Sequence, residues 1–141
     1  MHLDSGVYKI HNGGDMVGRA RNETMDLSPK PVFNKTDDED ATWTVEPLPN
    51  GRYMLYVKEG PAAVGDGRPT KDVVSLVQGG QDAVEWELHP VDGTDGRYRI
   101  MSPEGGVWAV SEPGKHCRIG VLPAGSENGD STTFTFTSVE S

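Results

Sequence analysis

Cysteine is almost missing: Cys117 stands alone among 141 residues, so no disulfide can close within the chain. A fold without covalent staples rests on its core, as expected of a protein kept in a reducing, cytoplasmic compartment. The N-terminal Met1-His2-Leu3-Asp4-Ser5-Gly6 lacks the basic segment and apolar core of a secretory signal, which fits the same expectation. On that expectation the sequons Asn22-Glu23-Thr24 and Asn34-Lys35-Thr36 stay unmodified. Long hydrophobic runs are missing too. None approaches the ~20 residues of a membrane-spanning helix, so no membrane partner is expected.

Positive charge is scarce. The 13 Lys and Arg face 22 Asp and Glu, a net charge of −9, which opposes binding to a phosphate backbone and excludes nucleic acid as an expected partner. The acidic run Asp37-Asp38-Glu39-Asp40 lacks the alternating oxygen ligands and the glycine of a calcium loop, and reads as a solvated connection.

Recognisable catalytic patterns are missing as well. His2, His11, His89 and His116 include no pair at zinc-site helix spacing, and there is no Cys-x-x-Cys. No Gly-x-Ser-x-Gly elbow and no phosphate-cradling glycine loop occur; Asn12-Gly13-Gly14-Asp15 reads as a hairpin turn. His116 and Cys117 are neighbours in an expected strand, which sends their side chains to opposite faces and prevents a dyad. Neither a metal nor a cofactor is expected, and the chain is not expected to be an enzyme.

What the chain does have is punctuation. Its 18 glycines and 10 prolines fall between short apolar runs, the spacing of many short strands joined by turns. A repeat underlies it. Gly6-Val7-Tyr8-Lys9-Ile10 returns as Gly51-Arg52-Tyr53-Met54-Leu55 and as Gly96-Arg97-Tyr98-Arg99-Ile100, each 45 residues after the last. Met16 to Arg19 is matched with Ala63 to Asp66 and with Val107 to Val110 as a second strand. Val32-Phe33, Val73 to Val77 and Arg118 to Leu122 supply a third. Trp43 to Pro47, Trp86 to Pro90 and Phe134 to Phe136 supply a fourth.

Four strands in each of three units predict an all-β β-trefoil, a six-stranded barrel capped by three hairpins, whose closure hides the strand edges. Residues 1–141 are expected to form one domain, with repeats at about 1–48, 49–92 and 93–141. Tyr8, Tyr53, Tyr98, Trp43, Trp86 and Phe134 recur at equivalent places and are expected in the core. Trp108 has no aromatic equivalent, and core filling is the expected role for it too.

Ser5 to Asn12, Val17-Gly18-Arg19, and Glu23 through Leu27 to Pro29-Lys30 resemble the mushroom serine protease inhibitors of the cospin type. The match continues more loosely through Trp86, Tyr98, Gly106-Val107-Trp108 and the C-terminal strand. The resemblance implies a fungal, intracellular β-trefoil without disulfides that inhibits through the loop between its second and third strands. Here that loop is Arg21-Asn22-Glu23-Thr24-Met25-Asp26-Leu27-Ser28-Pro29-Lys30.

Alignment to the family pattern puts P1, the side chain that enters the protease specificity pocket, on Met25, with Thr24 as P2 and Asp26 as P1′. Trypsin inhibitors of the family carry a basic P1; a thioether suits a hydrophobic slot instead, so chymotrypsin-, subtilisin- or elastase-like targets are expected. A slipped register would make Arg21 the P1 residue. Lys30 is a poor choice because Pro31 follows it, and Pro123 to Ser131 offers another loop.

Two other readings stay open. Trefoil inhibitors of cysteine proteases, the mycocypins, use paired glycines on the first hairpin, which Asn12-Gly13-Gly14 could imitate. Ricin-type trefoil lectins carry Gln-x-Trp, which Ala41-Thr42-Trp43 and Val84-Glu85-Trp86 lack. A serine protease is the favoured partner, and a monomer is expected.

Overall fold

The structure is a computed structural model, and it describes residues 3–23, 28–65, 71–77, 83–91, 96–123, 125 and 129–139. Three groups of four strands follow one another. The first holds β1 (Gly6–Asn12), β2 (Asp15–Arg19), β3 (Lys30–Asn34) and β4 (Trp43–Pro47). The second holds β5 (Tyr53–Val57), β6 (Gly60–Gly65), β7 (Lys71–Ser75) and β8 (Glu87–Pro90). The third holds β9 (Arg97–Met101), β10 (Gly106–Val110), β11 (Cys117–Pro123) and β12 (Phe134–Ser138), with a single 3-10 turn at Gly129–Thr132 before the last strand.

Strands β5, β4, β1, β12, β9 and β8 are neighbours in that order, all antiparallel. Tyr53 and Trp86 close the ring by exchanging backbone bonds of 2.8 and 2.7 Å, so β8 meets β5 and no barrel edge is left open there. The other six strands form the hairpins β2–β3, β6–β7 and β10–β11. Their second strands make a triangle: β3 pairs β7, β7 pairs β11 and β11 pairs β3. Six barrel strands and a cap of three mutually paired hairpins make a β-trefoil.

Alternating burial along β1, β3, β4, β5 and β9 explains why these segments are strands, whereas β7 and β10 bury runs of four. β1, β3 and β5 each bury every second residue, which puts Tyr8, Ile10, Val32, Tyr53, Leu55 and Val57 on the inner face. The recurring aromatics lie where their recurrence predicts. Tyr8, Tyr53, Tyr98, Trp43, Trp86 and Phe134 are all buried, and Trp108 is buried with them.

Trp108 has a particular place. Its ring lies 5.7 Å from that of Trp43, 5.4 Å from Trp86 and 5.8 Å from Phe134, the three residues that repeat in β4, just before β8 and in β12. Near-equal distances to three repeated positions put Trp108 on the pseudo-threefold axis.

Two details of the strand matching are corrected. The indole Nε1 of Trp43 donates to Val17 O (2.8 Å) and that of Trp86 to Ala62 O (3.2 Å), so Val17 corresponds to Ala62 and not to Val64. Gly13-Gly14 and Lys58-Glu59 are both two-residue turns, as the pairs Asn12↔Asp15 and Val57↔Gly60 require, and equal turns carry the 45-residue offset through the hairpin. Matching by similarity slipped by two residues, which a period of two cannot register. The strand expected at Val73 to Val77 instead runs from Lys71 to Ser75, leaving Val77 40% exposed. Ser75, the last residue of that strand, turns its hydroxyl inward, 3.0 Å from Gly60 O and 3.3 Å from Val57 O.

Candidate functional site

The connection between β2 and β3 leaves the cap at Arg19 and rejoins it at Lys30. Both end residues are buried, whereas Arg21, Asn22, Ser28 and Pro29 are exposed and Glu23 is half-buried. Thr24, Met25, Asp26 and Leu27 lie outside the described residues. Burial of Lys30 in β3 takes its side chain out of reach as a P1 residue.

The N-terminal stem of this loop, residues 20–23, is fastened from three directions. Arg19, at the end of β2, donates from Nε to Glu23 Oε2 (2.9 Å) and from Nη2 to Glu23 Oε1 (2.5 Å). Its Nη1 points the other way, towards Val57 O (3.5 Å) and Ser75 Oγ (3.4 Å) of the second repeat. A fork of five donors is the side-chain geometry that can hold a carboxylate on one side and a neighbouring hairpin on the other.

Lys58, in the β5–β6 turn, donates from Nζ to Ala20 O (2.7 Å) and lies 3.5 Å from Arg21 O. Asp37 accepts the backbone N–H of Arg21 on Oδ1 (2.9 Å). Thr36 donates its hydroxyl to Arg19 O (2.7 Å), joining the stem to the chain that leaves β3.

Charge balance favours an ionised Glu23. Burial pushes its carboxyl up, but the hydrogen bond and charge of Arg19, with Lys58 and Lys30 nearby, outweigh burial and hold it below the usual carboxylate range.

The first hairpin is built differently. Gly13 and Gly14 are exposed, with φ at +61° for Gly13, and they form only the two-residue tip between β1 and β2. Asn12 is buried and donates from Nδ2 to Asp130 O (2.7 Å) and Thr133 O (3.1 Å), drawing the tip back onto the segment before β12. A shallow cleft of about 370 Å³ between this tip, Arg97 and Asp130 is open to solvent. In the loop from Pro123 to Ser131, residues 124 and 126–128 lie outside the described residues. His116 precedes β11 and stacks on Phe33 with ring centroids 4.7 Å apart, while the Cys117 thiol faces Glu112 O at 3.9 Å. The two side chains have separate partners.

Sequence reasoning named Glu23 as a loop residue but missed Arg19, Asp37 and Lys58 as its fastenings. Asp37 was visible only as part of an acidic run. For Lys58, 35 residues beyond Glu23, no local pattern exists.

Against this geometry stand three likenesses to known proteins. A serine protease inhibitor of Lentinula edodes is 29% identical, with 78% of this chain and 76% of that protein covered. A proteinase inhibitor from Coprinopsis cinerea superposes with a TM-score of 0.82 at 22% identity, covering 98% of this chain and 100% of that one. The ricin B-like lectin of Macrolepiota procera, solved with lactose, superposes with a TM-score of 0.71 at 15% identity, covering 99% and 100% of the two chains. The last two likenesses establish a shared fold across inhibitor and lectin. Family membership comes from the match of residues 1–138 to the model of one family: the chain belongs to the peptidase inhibitor I66 family.

Proposed function

We propose that the chain is a reversible, stoichiometric inhibitor of a serine protease, acting as a monomer without catalysis of its own. The β2–β3 loop enters the protease as a substrate would, with Met25 as P1, Thr24 as P2 and Asp26 as P1′. The observation that carries this reading is the pinned stem. Substrate mimicry works when the ordering entropy of the loop is lost on folding and not on binding. Arg19, Lys58 and Asp37 hold residues 20–23 at the base of an exposed connection. Interfaces of this kind are tight for their size because little moves when they form.

The same bonds argue for the Met25 register over Arg21. A P1 residue needs its own backbone N–H and carbonyl for the protease. The N–H of Arg21 is given to Asp37 and its carbonyl faces Lys58. Methionine at P1 favours chymotrypsin-, subtilisin- or elastase-like enzymes over trypsin. The two-residue tip at Gly13-Gly14, drawn back by Asn12, makes a poor wedge for a papain-like cleft. Trp43 and Trp86 are fully buried and offer no sugar-stacking platform.

The test is an inhibition panel with chymotrypsin, a subtilisin, elastase, trypsin and papain. Met25→Arg should tighten trypsin binding by about 30-fold or more, the size of one interface hot spot, while weakening the native target. An unchanged panel would remove Met25 from the interface.

A further inference from the structure

The bond from Lys58 crosses between repeats, and its origin is unusual. Lys58 and Glu59 form the β5–β6 turn with φ at +50° and +67°, a left-handed backbone that side chains other than glycine, asparagine and aspartate rarely adopt. Strain of this kind persists where the surrounding structure over-determines it, and it gathers at functional sites. Here the turn carries an ammonium to the loop stem: Nζ is 2.7 Å from Ala20 O, 3.5 Å from Arg21 O and 4.0 Å from Glu23 Oε1. From the opposite side, Asp37 takes the N–H of Arg21. Arg19 ties the same two hairpins together beneath, through Glu23 on one side and Ser75 on the other.

We infer that Lys58 and Asp37 are positioning residues of the inhibitory loop: together they set the backbone of residues 20–21, so that the second repeat determines how the loop of the first is presented. This rests on the reading that the β2–β3 loop is what meets the protease. Lys58 and Asp37 meet the loop at its backbone. Both act through the Ala20 and Arg21 peptide groups, and they do so on the acyl side of the bond a protease would attack.

Lys58→Met keeps the length and the left-handed backbone while removing the charge and the donors. Lys58→Arg restores both donor and charge. Asp37→Asn weakens the acceptor from the other side. Each full-length variant is measured for its inhibition constant against the panel enzyme that the wild type inhibits best, for its thermal midpoint, and by intact mass for the rate at which that enzyme cleaves within residues 20–29.

Lys58→Met and Asp37→Asn should each weaken inhibition about tenfold, the loss of roughly one charged hydrogen bond, and speed cleavage. Their thermal midpoints should stay near that of the wild type, and Lys58→Arg should recover most of the inhibition. Wild-type inhibition and cleavage in both Lys58→Met and Asp37→Asn would overturn the inference. Loss of inhibition that merely follows a lowered thermal midpoint would overturn it as well.

If the wild type inhibits no enzyme of the panel, the reading of the loop fails and the anchoring is judged separately. Faster subtilisin cleavage within 20–29 and faster exchange of the Arg21 amide in Lys58→Met would uphold it, and wild-type rates would end it.

Discussion

Glu23 gathers more charge around it than any other residue of the loop stem. Its carboxylate takes two nitrogens of Arg19 and lies 4.0 Å from Lys58. Because the folded protein holds this carboxyl below its ordinary value of 4.5, the stability it contributes is fully present above that pH and is lost as pH falls through the lower folded value. Glu23→Gln should therefore be less stable than wild type at neutral pH, by ~1–2 kcal/mol for exchanging a charged pair for neutral hydrogen bonds. The gap should stay level down to about pH 4.5 and narrow below it. Thermal unfolding of both chains across this range checks the sign, and a gap that widens in acid would contradict it.

At the scale of elements, the β5–β6 turn holds two consecutive left-handed side-chain residues, with Lys35 after β3 as a third among the described residues. The counterpart of this turn in the first repeat is Gly13-Gly14, where the left-handed residue, Gly13, is a glycine and carries no Cβ penalty. Glu59 makes the more replaceable half, since Lys58 carries the bond to Ala20. Glu59→Gly should stabilise the protein by ~0.5–1 kcal/mol, relief of the left-handed backbone being partly offset by a more flexible unfolded chain. A urea midpoint that rises with an unchanged slope is the expected result, and a falling midpoint would show that Glu59 holds something else.

Gly60, next in the chain, has no such freedom. A Cβ there would run into Ser75 Oγ and the carbonyl of Leu76, so Gly60→Ala should destabilise.

Elements were also where the sequence was most legible. The strand at Trp43–Pro47 was readable to the residue, because an aromatic, a gap and a valine bounded by Pro47 leave one way to face the core. The pairing of Val17 with Ala62 was not. A two-residue slip keeps every side chain on its own face, so it takes the indole bonds of Trp43 and Trp86 and the hairpin pairing to distinguish the registers. The loop was legible through family resemblance, and its fastenings were not. Lys58 and Asp37 reach residues 20 and 21 through space, and their local context is an ordinary turn and an acidic run.

Across the whole molecule, the core is organised about Trp108. A threefold axis has room for one large side chain, so one repeat supplies a tryptophan where the others supply Val17 and Ala62. The third repeat then carries Phe134 where the others carry Trp43 and Trp86, which evens out the volume. The indoles of Trp43 and Trp86 have carbonyl partners, whereas Trp108 Nε1 has none among the described residues.

Replacing each tryptophan by phenylalanine removes similar volume, but only Trp43→Phe and Trp86→Phe also break a buried hydrogen bond. They should each be more destabilising than Trp108→Phe by about 1 kcal/mol, measured by denaturant unfolding. Equal losses at all three positions would mean that packing alone governs the axis.

Three copies of one strand pattern, the inner face of alternating strands such as β1, β3 and β5, and the lack of an intrachain disulfide were written in the chain, because alternation, repetition and composition survive without coordinates. Which repeat occupies the axis, which turn is strained and which side chains fasten residues 20–23 were settled by packing. Each of those depends on groups distant in sequence competing for one position in space, and no local pattern records the outcome of that competition.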